Sequence, residues 1–192
     1  SAAEPHVIYA LAPGNYTLHE ESAPTEDGYV RAEDVAFTVE ETGEIQQVSM
    51  KDDHTKVEIS KTDITGEEEI EGAHLQILDK DGEVVEEWTS TKEPHLIEYL
   101  PVGEYTLHEE SAPTESGYVR AEDVTFTVEE TGEIQQVSMK DDHTKVEISK
   151  TDITGEQEIE GAHLQILDKD GEVVEEWTSE KEPHLVEYLA PG

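Results

Sequence analysis

The chain repeats itself almost letter for letter at a shift of 89 residues. Residues 54–103 return as 143–192 with five differences, and residues 15–53 return as 104–142 with three. Residues 1–14 match 90–103 only loosely. Such an internal period decides the architecture before any local pattern is weighed. The polar junction Asp52-Asp53-His54-Thr55, copied as Asp141-Asp142-His143-Thr144, stands between two strand-like runs and marks where one copy passes into the next. On this frame residues 1–53 are the C-terminal part of a repeat, 54–142 a complete one, and 143–192 the N-terminal part of a third. The outer pieces are complementary, since 143–192 and 15–53 together supply one full repeat. Two explanations follow: an excerpt from a longer tandem array, or a chain that joins head to tail by completing a split domain.

Within the complete copy, apolar residues alternate with polar ones, the period of a half-buried strand. Val57 and Ile59 share one face of the first run, Ala73, Leu75 and Ile77 of the second, and Val124, Phe126 and Val128 of a later one. Asp79-Lys80-Asp81-Gly82 supplies the Asp-Gly pair of a tight hairpin turn. Its glycine comes too early for a calcium loop of the EF-hand kind. Proline and glycine interrupt the longer segment Ser111–Tyr118, and no run carries a convincing helical period. Seven or so short strands with turns every eight to twelve residues predict an all-β sandwich of immunoglobulin-like type, repeated in tandem.

Composition narrows the function. A net charge of −37 makes nucleic acid and anionic membrane poor partners, while 34% hydrophobic residues in alternating runs argue for folded modules with acidic outer faces. No run reaches transmembrane length, and the first residues show no basic segment followed by an apolar core, so membrane insertion is not expected of this segment. Cysteine is absent, which removes disulfides and a thiol nucleophile. The nine histidines have no paired spacing suited to a metal, and no phosphate loop or nucleophile elbow is present. No cofactor is called for, and a conventional enzyme is the least favoured class. A small module without disulfides nevertheless needs stability from somewhere.

Three strands end their apolar stripe on a charge. Val57, Ile59 and Lys61 share one parity, as do Tyr105, Leu107 and Glu109, and Val137, Met139 and Asp141. Each charge is therefore aimed toward the core, where an ion is costly unless paired or neutralised. The set is either a buried ion pair, a group of strand-end charges reaching solvent, or a site for an internal amide. In the last case a neutral Lys61 amine attacks the Asp141 carboxyl while Glu109 shuttles the proton. Strand parity alone favours Asp141 over the adjacent Asp142.

These residues resemble the Cna protein B-type repeat, the SpaA-like pilin domain of Gram-positive surface proteins. The matching segments are Val57–Asp63, Glu71–Leu75, Leu100–Glu109, Ala112-Pro113, Gly117-Tyr118 and Met139–Asp141. The resemblance implies a Lys61–Asp141 crosslink with Glu109 as its catalyst, in single-turnover autocatalysis. Asp stands where that family more often has Asn, so water leaves rather than ammonia. In the partial copies Glu20 and Asp52 lack their lysine, and Lys150 lacks both acids. The implied role is a stalk or spacer of an extracellular, cell-wall-anchored adhesin or pilus, with neighbouring repeats of the same protein as partners. Self-association through a Lys150–Asp52 link, assisted by Glu20, is the further expectation for the split pieces. The competing class is an adhesion module that binds a host or matrix ligand through its loops.

Overall fold

The computed structural model describes residues 4–192. In the N-terminal unit, β1 (Gly14–Leu18) pairs antiparallel with β3 (Val35–Val39), and β2 (Tyr29–Val30) pairs with β4 (Asp53–His54). A 3-10 turn at Thr25–Asp27 precedes β2. The next eight strands build the complete repeat: β5 (Lys56–Asp63), β6 (His74–Leu78), β7 (Val84–Thr89), β8 (His95–Glu98), β9 (Gly103–Ser111), β10 (Tyr118–Val119), β11 (Val124–Val128) and β12 (Ile134–His143). The C-terminal unit holds β13 (Lys145–Ile148), β14 (His163–Leu167), β15 (Val173–Thr178) and β16 (His184–Glu187).

The complete repeat is a sandwich of two four-stranded sheets, ordered β10-β12-β5-β8 and β11-β9-β6-β7. Each sheet turns the apolar parity of its strands inward. Val57 and Ile59 from one sheet meet Leu75, Ile77 and Leu107 from the other, with Met139 and Val128 closing the cluster. Burying one such side chain fully is worth about 1.5–3 kcal/mol. All neighbouring pairs are antiparallel except β5 with β12, the first and last strands, which run parallel and adjacent over eight residues. The chain's two ends of the domain thus lie side by side in one sheet. The turn at Asp79–Gly82 forms as the Asp-Gly pair predicts, with Gly82 at φ 81° and Asp79 Oδ1 accepting from the backbone N–H of Asp81 and Glu83. Strand alternation therefore reads through to a tandem all-β sandwich. Among the described residues, no helix is long and apolar enough to cross a membrane.

The outer units keep the hairpins whose strands are both present and lose the rest. β1–β3 and β14–β15 stand as two-stranded pieces, and β13 pairs with β16 alone. Segment 45–52, identical in sequence to 134–141, forms no strand, because the lysine-bearing strand that its copy pairs with has no counterpart there.

Candidate crosslink site

Alternation in β5 buries Val57, Ile59 and Lys61 together, and in β9 it does the same for Tyr105, Leu107 and Glu109. In β12 Met139 and Asp141 point inward while Lys140 and Asp142 point out. The parallel register sets Lys61 against Met139, which leaves Asp141 two residues along on the same inner face. Glu109 enters from the opposite sheet, where it pairs in register with Leu75. Three strands of two sheets thus converge on one point between the layers.

At that point Lys61 Nζ lies 2.9 Å from Glu109 Oε2 and also donates to Asp141 Oδ1. The relative exposures are 1% for Lys61 and 0% for both acids. Glu109 Oε2 accepts a second hydrogen bond, from the Ala121 backbone N–H at 2.7 Å. Glu109 Oε1 and Asp141 Oδ2 are buried without a hydrogen-bond partner. Burial pushes the Asp141 carboxyl up to about 6; the Lys61 ammonium opposes this, and the neighbouring Glu109 adds to it. One cation facing two acids in an apolar enclosure favours retaining a proton on Asp141.

The chemical capacity follows from that geometry. An amine and a carboxyl group held in contact, away from water, have already met the orientational cost of an amide condensation. A second carboxyl group beside them, that of Glu109, is placed to polarise the carbonyl and carry the proton. The products balance as one amide and one water, the second Asp141 oxygen leaving with two hydrogens.

Asp142, the alternative on sequence grounds, lies on the outer face, where it bonds Lys145 Nζ at 2.6 Å. That bond is the main cause holding its carboxyl below the usual range. In the N-terminal unit Glu20 makes the hydrogen bond that Glu109 makes, accepting from Ala32 N–H at 2.8 Å. Asp52 is exposed; partial desolvation, then the charge and hydrogen bond of Glu20, raise its pKa. Lys150 is half-buried, and among the described residues no acid lies in ion-pair range of its Nζ. The structure therefore joins Lys61, Glu109 and Asp141, joins Glu20 with Asp52, and leaves Lys150 apart. Sequence reasoning missed the Ala121 N–H, because a backbone donor has no side-chain signature. The twelve-residue spacing Glu20–Ala32, repeated as Glu109–Ala121, was the one available sign.

Sandwich, repeat and buried trio define a class of tandem β-sandwich domain, and comparison places the chain within one family. It belongs to the family described as SpaA: Prealbumin-like fold domain, matching over residues 55–143 and 144–192. Among solved structures it is similar to the Bacillus anthracis TIE protein, at 28% identity and a TM-score of 0.51, covering 93% of this chain and 35% of that one. It also matches the Streptococcal ancillary pilin (18% identity, TM-score 0.43, 95% of this chain and 65% of that one). A third match is shaft pilin spaA from Lactobacillus rhamnosus GG (16% identity, TM-score 0.39, 68% of this chain and 64% of that one). The chain thus spans about a third of the TIE protein and under two thirds of either pilin. No curated protein matches at a significant level.

Proposed function

We propose that this chain is a stretch of structural stalk from an extracellular surface protein of the pilus or adhesin kind, in which each complete repeat closes itself with one Lys–Asp amide. The observation that carries the reading is the buried contact of Lys61 with Asp141 and Glu109, which ties the first strand to the last. Membership in the SpaA family supports the stalk role. Near-identity of successive copies suits a spacer, whose task is length. Lys61 supplies the amine, Asp141 the carboxyl and Glu109 the proton relay, each acting once, so the chain is no turnover enzyme.

The intact mass of the folded chain should fall one water short of the sequence mass, and a tryptic digest should contain a branched peptide joining the Lys61 and Asp141 segments. Glu109→Gln keeps the shape and removes the relay, and should slow bond formation by about 10²–10⁴-fold. Recovering both segments as ordinary linear peptides from the unaltered chain refutes the reading.

A second reading concerns the outer units. A groove of about 600 Å³ beside the N-terminal unit is lined in part by Val35 and Met50. Their copies Val124 and Met139 pack in or against the closed core. The acids Glu20 and Asp52 are already set, and the Lys150 ammonium has no acid in ion-pair range among the described residues. Two polypeptides of this sequence can therefore complete one repeat between them, bringing Lys150 to Asp52 beside Glu20, an open heterologous contact that propagates. Denaturing electrophoresis should show a ladder that Lys150→Ala abolishes; a lone monomer band rules the covalent joint out.

A further inference from the structure

The proposed crosslink lies inside one repeat and does not bear on how one repeat holds the next. At the first passage, β4 ends at His54 and β5 begins at Lys56, so Thr55 alone stands between them. At the second, Thr144 alone separates β12 from β13. A one-residue connection has no slack, and here its polar groups are all engaged. Thr55 N–H donates to Gly28 O at 2.9 Å in the preceding unit. Its carbonyl accepts from Tyr99 N–H at 3.1 Å, and its hydroxyl donates to Leu100 O at 2.6 Å, both in the following repeat. Thr144 repeats the set with Gly117 O at 2.9 Å, Tyr188 N–H at 3.0 Å and Leu189 O at 2.7 Å.

Around each threonine the same side chains gather. Tyr99 has φ 62° and Tyr188 φ 60°, the left-handed region that an aromatic residue seldom enters. The His54 ring stacks on Tyr99 with centroids 4.1 Å apart, and Tyr29 meets Tyr99 edge-on at 5.6 Å. His143 and Tyr118 hold Tyr188 at 4.0 and 5.5 Å. Glu98 Oε1 bonds His54 Nε2 at 2.9 Å, and Glu187 Oε1 bonds His143 Nε2 at 2.8 Å. Gly28 and Gly117 close the 3-10 turns at φ 75° and 78°, and a Cβ on either would overlap the backbone of Tyr99 or Tyr188. Both glycines are thus required twice over, by conformation and by close approach.

We propose that this end of each repeat is a docking surface whose partner is the next copy of the same repeat, locking successive repeats in one orientation as a rod. The surface comprises the Gly-closed 3-10 turn, the tyrosine after it and the histidine that ends the strand before the junction threonine; its counterpart is the positive-φ tyrosine of the following copy. Two passages with the same geometry, one leading into a complete repeat and one into a partial copy, carry the inference. They also differ in one instructive place. Val102 N–H donates to Thr25 O at 3.2 Å at the first passage, whereas the matching residue at the second is Pro191, which has no N–H.

Amide exchange on the full 192-residue chain tests it, with the intact mass read on the same sample so that crosslink and junction are scored separately. The Thr55 and Thr144 amides should exchange at least about 100-fold more slowly than an open linker. Gly117→Val should return Thr144 to the open rate while the Leu107 amide in the core keeps its protection. Exchange of Thr55 and Thr144 at the open rate in the unaltered chain overturns the proposal, as does Thr144 protection that survives Gly117→Val. Should Gly117→Val also expose Leu107, Tyr188→Ala decides, because the equivalent position 10 is alanine with the same φ of 60°. Loss of its two ring contacts should speed Thr144 exchange roughly tenfold; an unchanged rate overturns the proposal.

Discussion

Lys61 shows how a single residue can be placed by parity and priced by its surroundings. Its side chain replaces what would be a third aliphatic on the inner face of β5, and two acids answer it. Substituting Lys61→Met fills the same space with an apolar chain and leaves Glu109 and Asp141 without their cation. The sign of the resulting pH dependence follows from Asp141, whose pKa burial raises from 3.8 to about 6 even with the ammonium present. Below about pH 4 the carboxyl is protonated folded or unfolded and exerts no penalty. Between there and about 6 the unfolded chain ionises first, so the folded state loses ground as pH rises, and removing the cation extends that window upward. Thermal unfolding of Lys61→Met should therefore give a midpoint that is highest near pH 4 and drops steadily past 6. A midpoint flat across this range would mean that the two acids are hydrated rather than enclosed.

Among the strands, the most informative comparison is between identical segments in different company. Residues 134–141 form most of β12, pairing over eight positions with β5, while 45–52 carry the same letters and form no strand. Likewise Lys56–Asp63 is one eight-residue strand, and its copy 145–152 is a strand only as far as Ile148. Propensity is equal within each pair, so the difference is the neighbour: an extended segment is stable when its N–H and C=O groups and its inner face are both occupied. Amide exchange should register this directly. Val137 and Met139 should be protected by orders of magnitude, and Val48 and Met50 should exchange near the rate of an open chain. Adding a peptide of sequence 143–192 in excess should raise the protection of Val48 and Met50; no change would show that the partial unit cannot accept its missing strands.

In the proposed stalk, the direction of load through the whole molecule matters most. β5 and β12 are adjacent, parallel and the first and last strands of the complete repeat, and Lys61 and Asp141 stand 80 residues apart. A bond between them shorts the pulling path, so force passes from β12 across to β5 without unravelling the sheets. Closing a loop of that size also removes unfolded-state entropy of order 4–5 kcal/mol, by analogy with a disulfide. Stretching a single chain should show no lengthening from the central repeat. With Lys61→Ala the same repeat should open and release roughly 270 Å of chain between the two positions. Full release from the unaltered chain would rule out the covalent clamp. The strong negative charge adds mutual repulsion along the array, which favours extension over folding back.

Sequence alone determined the features governed by short-range periodicity and copying. The 89-residue period marked the repeat, alternation located the strands of the complete repeat other than the short β10, and parity aimed Lys61, Glu109 and Asp141 inward and Asp142 outward. These succeed because side-chain direction in a strand depends on position within the strand alone. What tertiary structure decided was partnership. The parallel contact of β5 with β12, the Ala121 N–H that holds Glu109, and the clasp of Gly28 on Tyr99 join residues far apart in the chain. None has a local signature, because the energy of each arises from a neighbour that the rest of the fold must first deliver. The identical segments 45–52 and 134–141 make the division plain: the letters are the same, and the strand exists where the partner does.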